Sequence, residues 1–237
     1  MTPNRSSFRH KKSVNLMTVS LLLLIFVLFS CNMPPDEPIT PPAEDPTEEV
    51  VFEEVALSAL LPSEIGYTWI YNGFAEYGHT MTLDAILATE DSNVYEISGE
   101  VADMSGGEGN FSVDLTLKYI LSGNSIVQEK TEEMMLDSKF DRLTLIKLPF
   151  EVGNSWTETV IDPETQNEVT LNSQIESVEM VDGAMQYTVR YDDADSDYYE
   201  LRVIREGVGV ISVEKLLELT GGDFPVSYSL FMSGLLE

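Results

Sequence analysis

Phe111-Ser112-Val113-Asp114-Leu115-Thr116-Leu117-Lys118-Tyr119-Ile120-Leu121 alternates apolar and polar side chains along nearly its whole length. Successive side chains of a strand point to opposite faces, so a period of two marks a half-buried strand. The same period recurs around it. Met81, Leu83, Ala85 and Leu87 form one such set, and Met185, Tyr187, Val189 and Tyr191 another. Tyr199, Leu201 and Val203 alternate with Glu200 and Arg202. Together these segments read as antiparallel sheet, apolar on one face and polar on the other.

Turn signals separate the strands: Glu90-Asp91-Ser92-Asn93, Gly106-Gly107, Gly123-Asn124, Asp162-Pro163, Asp182-Gly183 and Gly221-Gly222. Asp182-Gly183, between Val178-Glu179-Met180 and Met185, is the pattern of a tight hairpin. Helical signal is thin. Val51, Val55 and Ala59 share one helical face before Pro62, and Glu214–Leu219 suits another turn, although both segments also fit extended chain. The expected class is therefore mainly β, with curved antiparallel sheet and two similar β lobes behind a disordered N-terminal signal and linker.

The two lobes come from an internal echo. Leu61-Pro62-Ser63-Glu64-Ile65-Gly66-Tyr67-Thr68-Trp69 matches Leu148-Pro149-Phe150-Glu151-Val152-Gly153-Asn154-Ser155-Trp156 at an offset of 87 residues, and the two phrases hold both tryptophans of the chain. Thr82-Leu83-Asp84 parallels Thr170-Leu171-Asn172, and Gly123–Lys130 parallels Val208–Lys215. A duplicated unit would occupy 61–147 and 148–234. The alternative is one phrase used twice to start a strand. Proline stays out of the ladder, glycine takes the bend and tryptophan buries a large side chain.

The N-terminus has a different character. Arg5, Arg9, Lys11 and Lys12 precede an apolar run from Leu21 to Phe29. Such a run is shorter than the roughly 20 apolar residues of a spanning helix and suits a secretory signal. Leu28-Phe29-Ser30-Cys31 resembles the lipobox of bacterial lipoproteins, although Phe29 replaces the usual small or β-branched residue. The resemblance implies that residues 1–30 are a signal peptide and that Cys31, the only cysteine of the chain, is lipidated. More than one acyl chain on Cys31 would hold the protein stably on the membrane. The mature chain would then have no thiol for a disulfide, a metal or a nucleophile.

Residues 31–49 form the lipidated cysteine and its tether. Six prolines between Asn32 and Thr47 (Pro34, Pro35, Pro38, Pro41, Pro42 and Pro46) are interspersed with Asp36, Glu37, Glu44 and Asp45. That composition stays extended, reaching on the order of 50 Å at about 3.1 Å per residue. Residues 50–237 form the β-rich domain. Without the signal, nine basic residues face 41 acidic ones, a net charge near −32. Such a surface repels nucleic acid and anionic headgroups, and it suits solubility, a halophilic or cation-rich setting, or cationic partners alike.

Gly66-Tyr67-Thr68-Trp69-Ile70-Tyr71-Asn72-Gly73, the later Leu148–Trp156 phrase and Gly207-Val208-Gly209-Val210 resemble segments of uncharacterised bacterial surface lipoproteins. The resemblance implies a location and a sheet-rich fold, with no chemistry attached.

Few residues suggest activity. His79 is the only histidine after the signal. There is no G-x-S-x-G elbow, Walker pattern or C-x-x-C pair, so His79 reads as a structural or surface residue and no catalytic residue is assigned. Asp193-Ala194-Asp195-Ser196-Asp197 has the spacing of a calcium loop. Tyr198 and Ile204 stand where glycine and the bidentate glutamate belong, so an acidic solvated hairpin is the other reading. Tyr67, Trp69 and Tyr71 share a strand face, as core or as a stacking surface. The expectation is a membrane-anchored envelope protein with a non-catalytic binding domain and no cofactor unless calcium. Its partner would be an envelope protein, a glycan or a hydrophobic ligand, and not nucleic acid. The alternatives are a lipid carrier, a calcium-stabilised adhesion module and an exported hydrolase.

Overall fold

The computed structural model describes residues 56–74, 78–102, 112–132 and 137–236. Cys31, the signal, the tether, Gly106-Gly107 and Phe111 lie outside the described residues.

Twelve strands follow one another: β1 (Tyr67–Gly73), β2 (Gly78–Ala88), β3 (Asn93–Val101), β4 (Asp114–Ser122), β5 (Ser125–Thr131), β6 (Arg142–Lys147), β7 (Ser155–Ile161), β8 (Glu168–Val181), β9 (Ala184–Asp193), β10 (Tyr199–Arg205), β11 (Gly209–Leu217) and β12 (Phe224–Leu235). All belong to one antiparallel sheet in the order β6-β5-β4-β3-β2-β1-β12-β11-β10-β9-β8-β7. Each half of the chain is thus a six-stranded meander. The first strand of one run pairs with the last strand of the other, Tyr67 lying opposite Leu235. The sheet curls into a nearly closed barrel in which β6 and β7, the two edges, approach each other.

The seam between these edges is joined by side chains. Glu158 of β7 accepts from the Thr144 backbone N–H (2.8 Å) and the Thr144 hydroxyl (2.8 Å) on β6. Its carboxylate thereby satisfies an edge donor that a ladder would otherwise pair. Asn154 Nδ2 donates to the carbonyls of Lys147 (2.9 Å) and Pro149 (2.8 Å), and the Tyr191 hydroxyl to the Leu145 carbonyl. Unpaired strand edges invite association with other chains, and these bonds occupy this one.

Both copies of the repeated phrase build the same turn. The Tyr67 N–H donates to the Glu64 carbonyl (3.1 Å) and the Asn154 N–H to the Glu151 carbonyl (3.1 Å). The third residue of each turn is a glycine with positive φ, 88° at Gly66 and 90° at Gly153. These are the requirements of a type II turn. Each glycine N–H then bonds across to a strand, Gly66 to the Leu83 carbonyl and Gly153 to the Ile175 carbonyl. A bulge follows both acceptors, between Leu83 and Ala85 and between Ile175 and Ser177. In this register Leu83 matches Ile175. The Thr82-Leu83-Asp84 and Thr170-Leu171-Asn172 echo is therefore out of step with the strands.

Antiparallel order places the connections alternately at two ends. The base receives the N-terminal turn and the short hairpins. At Asp182-Gly183 both central residues have positive φ, 52° and 80°, as a type I′ hairpin requires. Leu57, Leu60 and Leu61 are buried at the base, and the Gly207 N–H donates to the Ala59 carbonyl (2.8 Å). Burying each leucine contributes about 1.5–3 kcal/mol. Residues 56–58 form one helical turn that leaves Ala59 exposed, Val51 and Val55 lie outside the described residues, and residues 214–217 are strand β11. The opposite end, the mouth, receives residues 137–141 and the connections 194–198 and 218–223.

Leu115, Leu117, Tyr119 and Leu121 face the interior as their alternation requires. Two other sets behave differently. The bulge at Asp84 switches faces, so Ile86 turns toward the core and Leu87 outward. On β10 the polar set points inward: Glu200 and Arg202 are buried, while Tyr199, Leu201 and Val203 are half-buried on the outside. That inversion creates the candidate site.

Candidate functional site: an ion network in the barrel mouth

Of the nine basic residues after the signal, three are buried here: Lys130, Arg202 and Lys215. Basic side chains are almost never fully buried unless paired. Lys130 Nζ, at the inner end of β5, donates to Glu132 Oε1 (2.8 Å), Asp137 Oδ1 (2.7 Å) and the Ser138 carbonyl (2.9 Å). Arg202 Nη2 donates to Glu200 Oε2 (2.8 Å), and Arg202 Nη1 to Gln128 Oε1 (2.8 Å). Glu200 Oε1 accepts from the Ser138 hydroxyl (2.6 Å) and the Tyr198 hydroxyl (2.7 Å). Lys215 lies opposite Glu200 in the β10–β11 ladder.

The network joins β5 of the first meander to β10 of the second and fastens residues 137–140 across the mouth. Ser138 Oγ accepts from the Phe140 N–H (3.0 Å), and Phe140 is buried edge-on to Tyr198. Three cations face three carboxylates, those of Glu132, Asp137 and Glu200. Burial disfavours the Asp137 carboxylate, but Lys130 and Arg202 outweigh burial and bring its pKa down to about 2. Burial likewise works against the Lys130 and Arg202 charges, and the carboxylates raise both pKa values nonetheless. At Lys215 burial prevails and lowers the pKa.

Beside the network, Tyr71, His79, Tyr119, Gln128, Arg202 and Tyr228 are among the residues lining a cavity of about 20 Å³. His79 stacks on Tyr71, with ring centroids 4.5 Å apart. Burial lowers its pKa to about 4; Lys130 acts in the same direction and Asp137 opposes. His79 is thus a neutral core residue at the start of β2. Trp69 and Tyr71 are core as well: Trp69 Nε1 donates to the Val208 carbonyl (2.7 Å) and the Tyr71 hydroxyl to the Val210 carbonyl. Tyr67 is half-buried against Trp69.

The acidic loop takes another form. Asp193 Oδ1 accepts from the Asp195 N–H (3.0 Å) and Asp193 Oδ2 from the Ser196 hydroxyl (2.7 Å), so this carboxylate holds its own turn. Asp195 and Asp197 are exposed. Among the described residues no three His, Cys, Asp or Glu side chains come together as a metal site. Tyr198, where a calcium loop has glycine, is the buried donor to Glu200.

Sequence reasoning missed Lys130, Asp137, Glu200 and Arg202. The signal available was the echo ending in Glu129-Lys130 and Glu214-Lys215, whose two lysines are both buried.

Fold and site together define a nearly closed, twelve-stranded antiparallel barrel with an internal ion network. No protein-family model and no curated protein matches the chain. Among solved structures it is similar to a protein provisionally described as a lipoprotein, from Parabacteroides distasonis ATCC 8503. The identity is 10% and the TM-score 0.44, over 75% of this chain and 99% of that one. It is also similar to a provisionally described exported protein with a YmcC-like fold from Bacteroides fragilis NCTC 9343. There the identity is 10% and the TM-score 0.43, over 73% of this chain and 98% of that one.

Proposed function

We propose that this chain is a lipid-anchored protein of a bacterial cell envelope and that its barrel is a non-catalytic scaffold binding a partner through its outer surface. The filled interior carries this reading. Sites for lipids and other small molecules usually occupy about 300–1,000 Å³, whereas among the described residues the cavity between the inward-facing Tyr119, Gln128, Arg202 and Tyr228 is about 20 Å³. The mouth charges are spent on one another and on residues 137–140, which argues against a hydrolytic cleft of convergent free carboxylates. The outer surface carries most of the 41 acids, so the favoured partner presents a basic face. The anchor rests on Cys31 and the segments around it. In the same reading the barrel is a duplicated six-stranded unit, supported by the matching turns at Gly66 and Gly153.

Cross-linking in intact cells, followed by membrane fractionation, tests this function. The expected result is a membrane-bound protein joined to a specific envelope partner through outward-facing side chains. A Cys31→Ser variant should leave the membrane fraction. Retention of that variant on the membrane, or cross-links only to a small apolar ligand, would contradict the proposal.

A further inference from the structure

We infer that the cavity beside the ion network is a water-binding site, holding at least one ordered molecule between Arg202, Gln128 and His79. Three buried polar atoms of the lining residues have no hydrogen-bond partner: Arg202 Nε, Gln128 Nε2 and His79 Nδ1. Their residues are 1%, 2% and 6% exposed. A buried donor or acceptor left unpaired is destabilising, and three in one place call for a shared ligand.

Size and chemistry both select water. The volume of about 20 Å³ exceeds the roughly 10–15 Å³ that one water needs. Arg202 Nε–H can only donate. Gln128 Oε1 accepts from Arg202 Nη1, which leaves Gln128 Nε2 as a second donor. His79 is neutral, so its Nδ1 can accept while the proton sits on Nε2. One oxygen accepting twice and donating once matches all three groups. A halide would face the Asp137 carboxylate in the same lining. The network's three cations already balance three carboxylates, so a neutral ligand keeps the interior neutral. An apolar gas would satisfy none of the three atoms. The water would add β2 to the Gln128–Arg202 bond that already joins β5 of the first meander to β10 of the second.

The test is a crystal structure of the wild-type protein at a resolution that shows ordered water. It is paired with water-to-protein nuclear Overhauser measurements on the Gln128 side-chain amide in solution. The expected result is a density peak within hydrogen-bond distance of all three atoms and a matching cross-peak. His79→Phe keeps the ring against Tyr71 but removes the acceptor, so peak and cross-peak should be lost or weakened several-fold. An empty cavity, a bromide anomalous peak in soaked crystals, xenon uptake under pressure or an undiminished cross-peak in His79→Phe would each overturn the assignment.

Discussion

Lys130→Met separates the mouth network from a generic packed core. Its ammonium is 1% exposed and reaches Glu132, Asp137 and the Ser138 carbonyl within 2.9 Å. Methionine keeps the stem and removes the charge, leaving the Asp137 carboxylate, 5% exposed, without its nearest cation. Breaking one partner of a buried ion pair costs about 3–5 kcal/mol, whereas replacing both with apolar groups is often neutral or stabilising. The double variant Lys130→Met/Asp137→Leu should therefore recover most of the loss and lie within about 1 kcal/mol of wild type. With a urea dependence of about 2 kcal/mol per M, the single variant should shift the midpoint down by roughly 2 M. Urea unfolding of the chain from residue 32 onward, followed by fluorescence of Trp69 and Trp156, reads both values. A single variant costing under about 1 kcal/mol, or a double variant no better than the single, would refute the claim that Lys130 compensates a buried carboxylate.

Stability should fall with acid in two steps, because both groups bind protons more readily unfolded. His79 shifts from 6.5 to about 4 and Asp137 from 3.8 to about 2, so the losses fall between pH 6.5 and 4 and between pH 4 and 2. They amount to about 3 and 2 kcal/mol, and His79→Phe should erase the upper step in pH-dependent denaturation. Glu158→Ala should cost about 1–3 kcal/mol by leaving the Thr144 N–H unpaired, and should raise aggregation by freeing the seam; light scattering and thermal unfolding measure both effects. Calorimetric titration with Ca²⁺ should release no heat beyond dilution, since Asp193 is committed to its turn. Binding abolished by Asp195→Ala would contradict that assignment.

The sequence displayed the strands better than their assembly. Leu115 to Leu121 announced β4 because a period of two is local, and Asp182-Gly183 announced its hairpin because positive φ selects those residues. The faces of β10 were not legible. Glu200 and Arg202 point inward only because Gln128 and Ser138, more than 60 residues away, meet them there. The same alternation would suit a strand with those charges in water. The bulge at Asp84 moved Leu87 outward without a glycine or proline to mark it. Assembly of the sheet was equally hidden, since it depends on β1 pairing with β12 and on the edges β6 and β7 approaching each other. The repeated phrase was visible, and its physical content is a type II turn followed by a buried tryptophan. His79 read as structural, and its neutral state follows from its burial among strands distant in sequence.

The central claim is a lipid-anchored barrel whose interior is full. Native mass spectrometry of the protein extracted from membranes tests it most directly. The account predicts a chain beginning at Cys31, carrying covalent acyl groups, with no further mass of several hundred daltons released on activation. A chain that retains residues 1–30, or a stoichiometric apolar ligand released from inside the barrel, would contradict it.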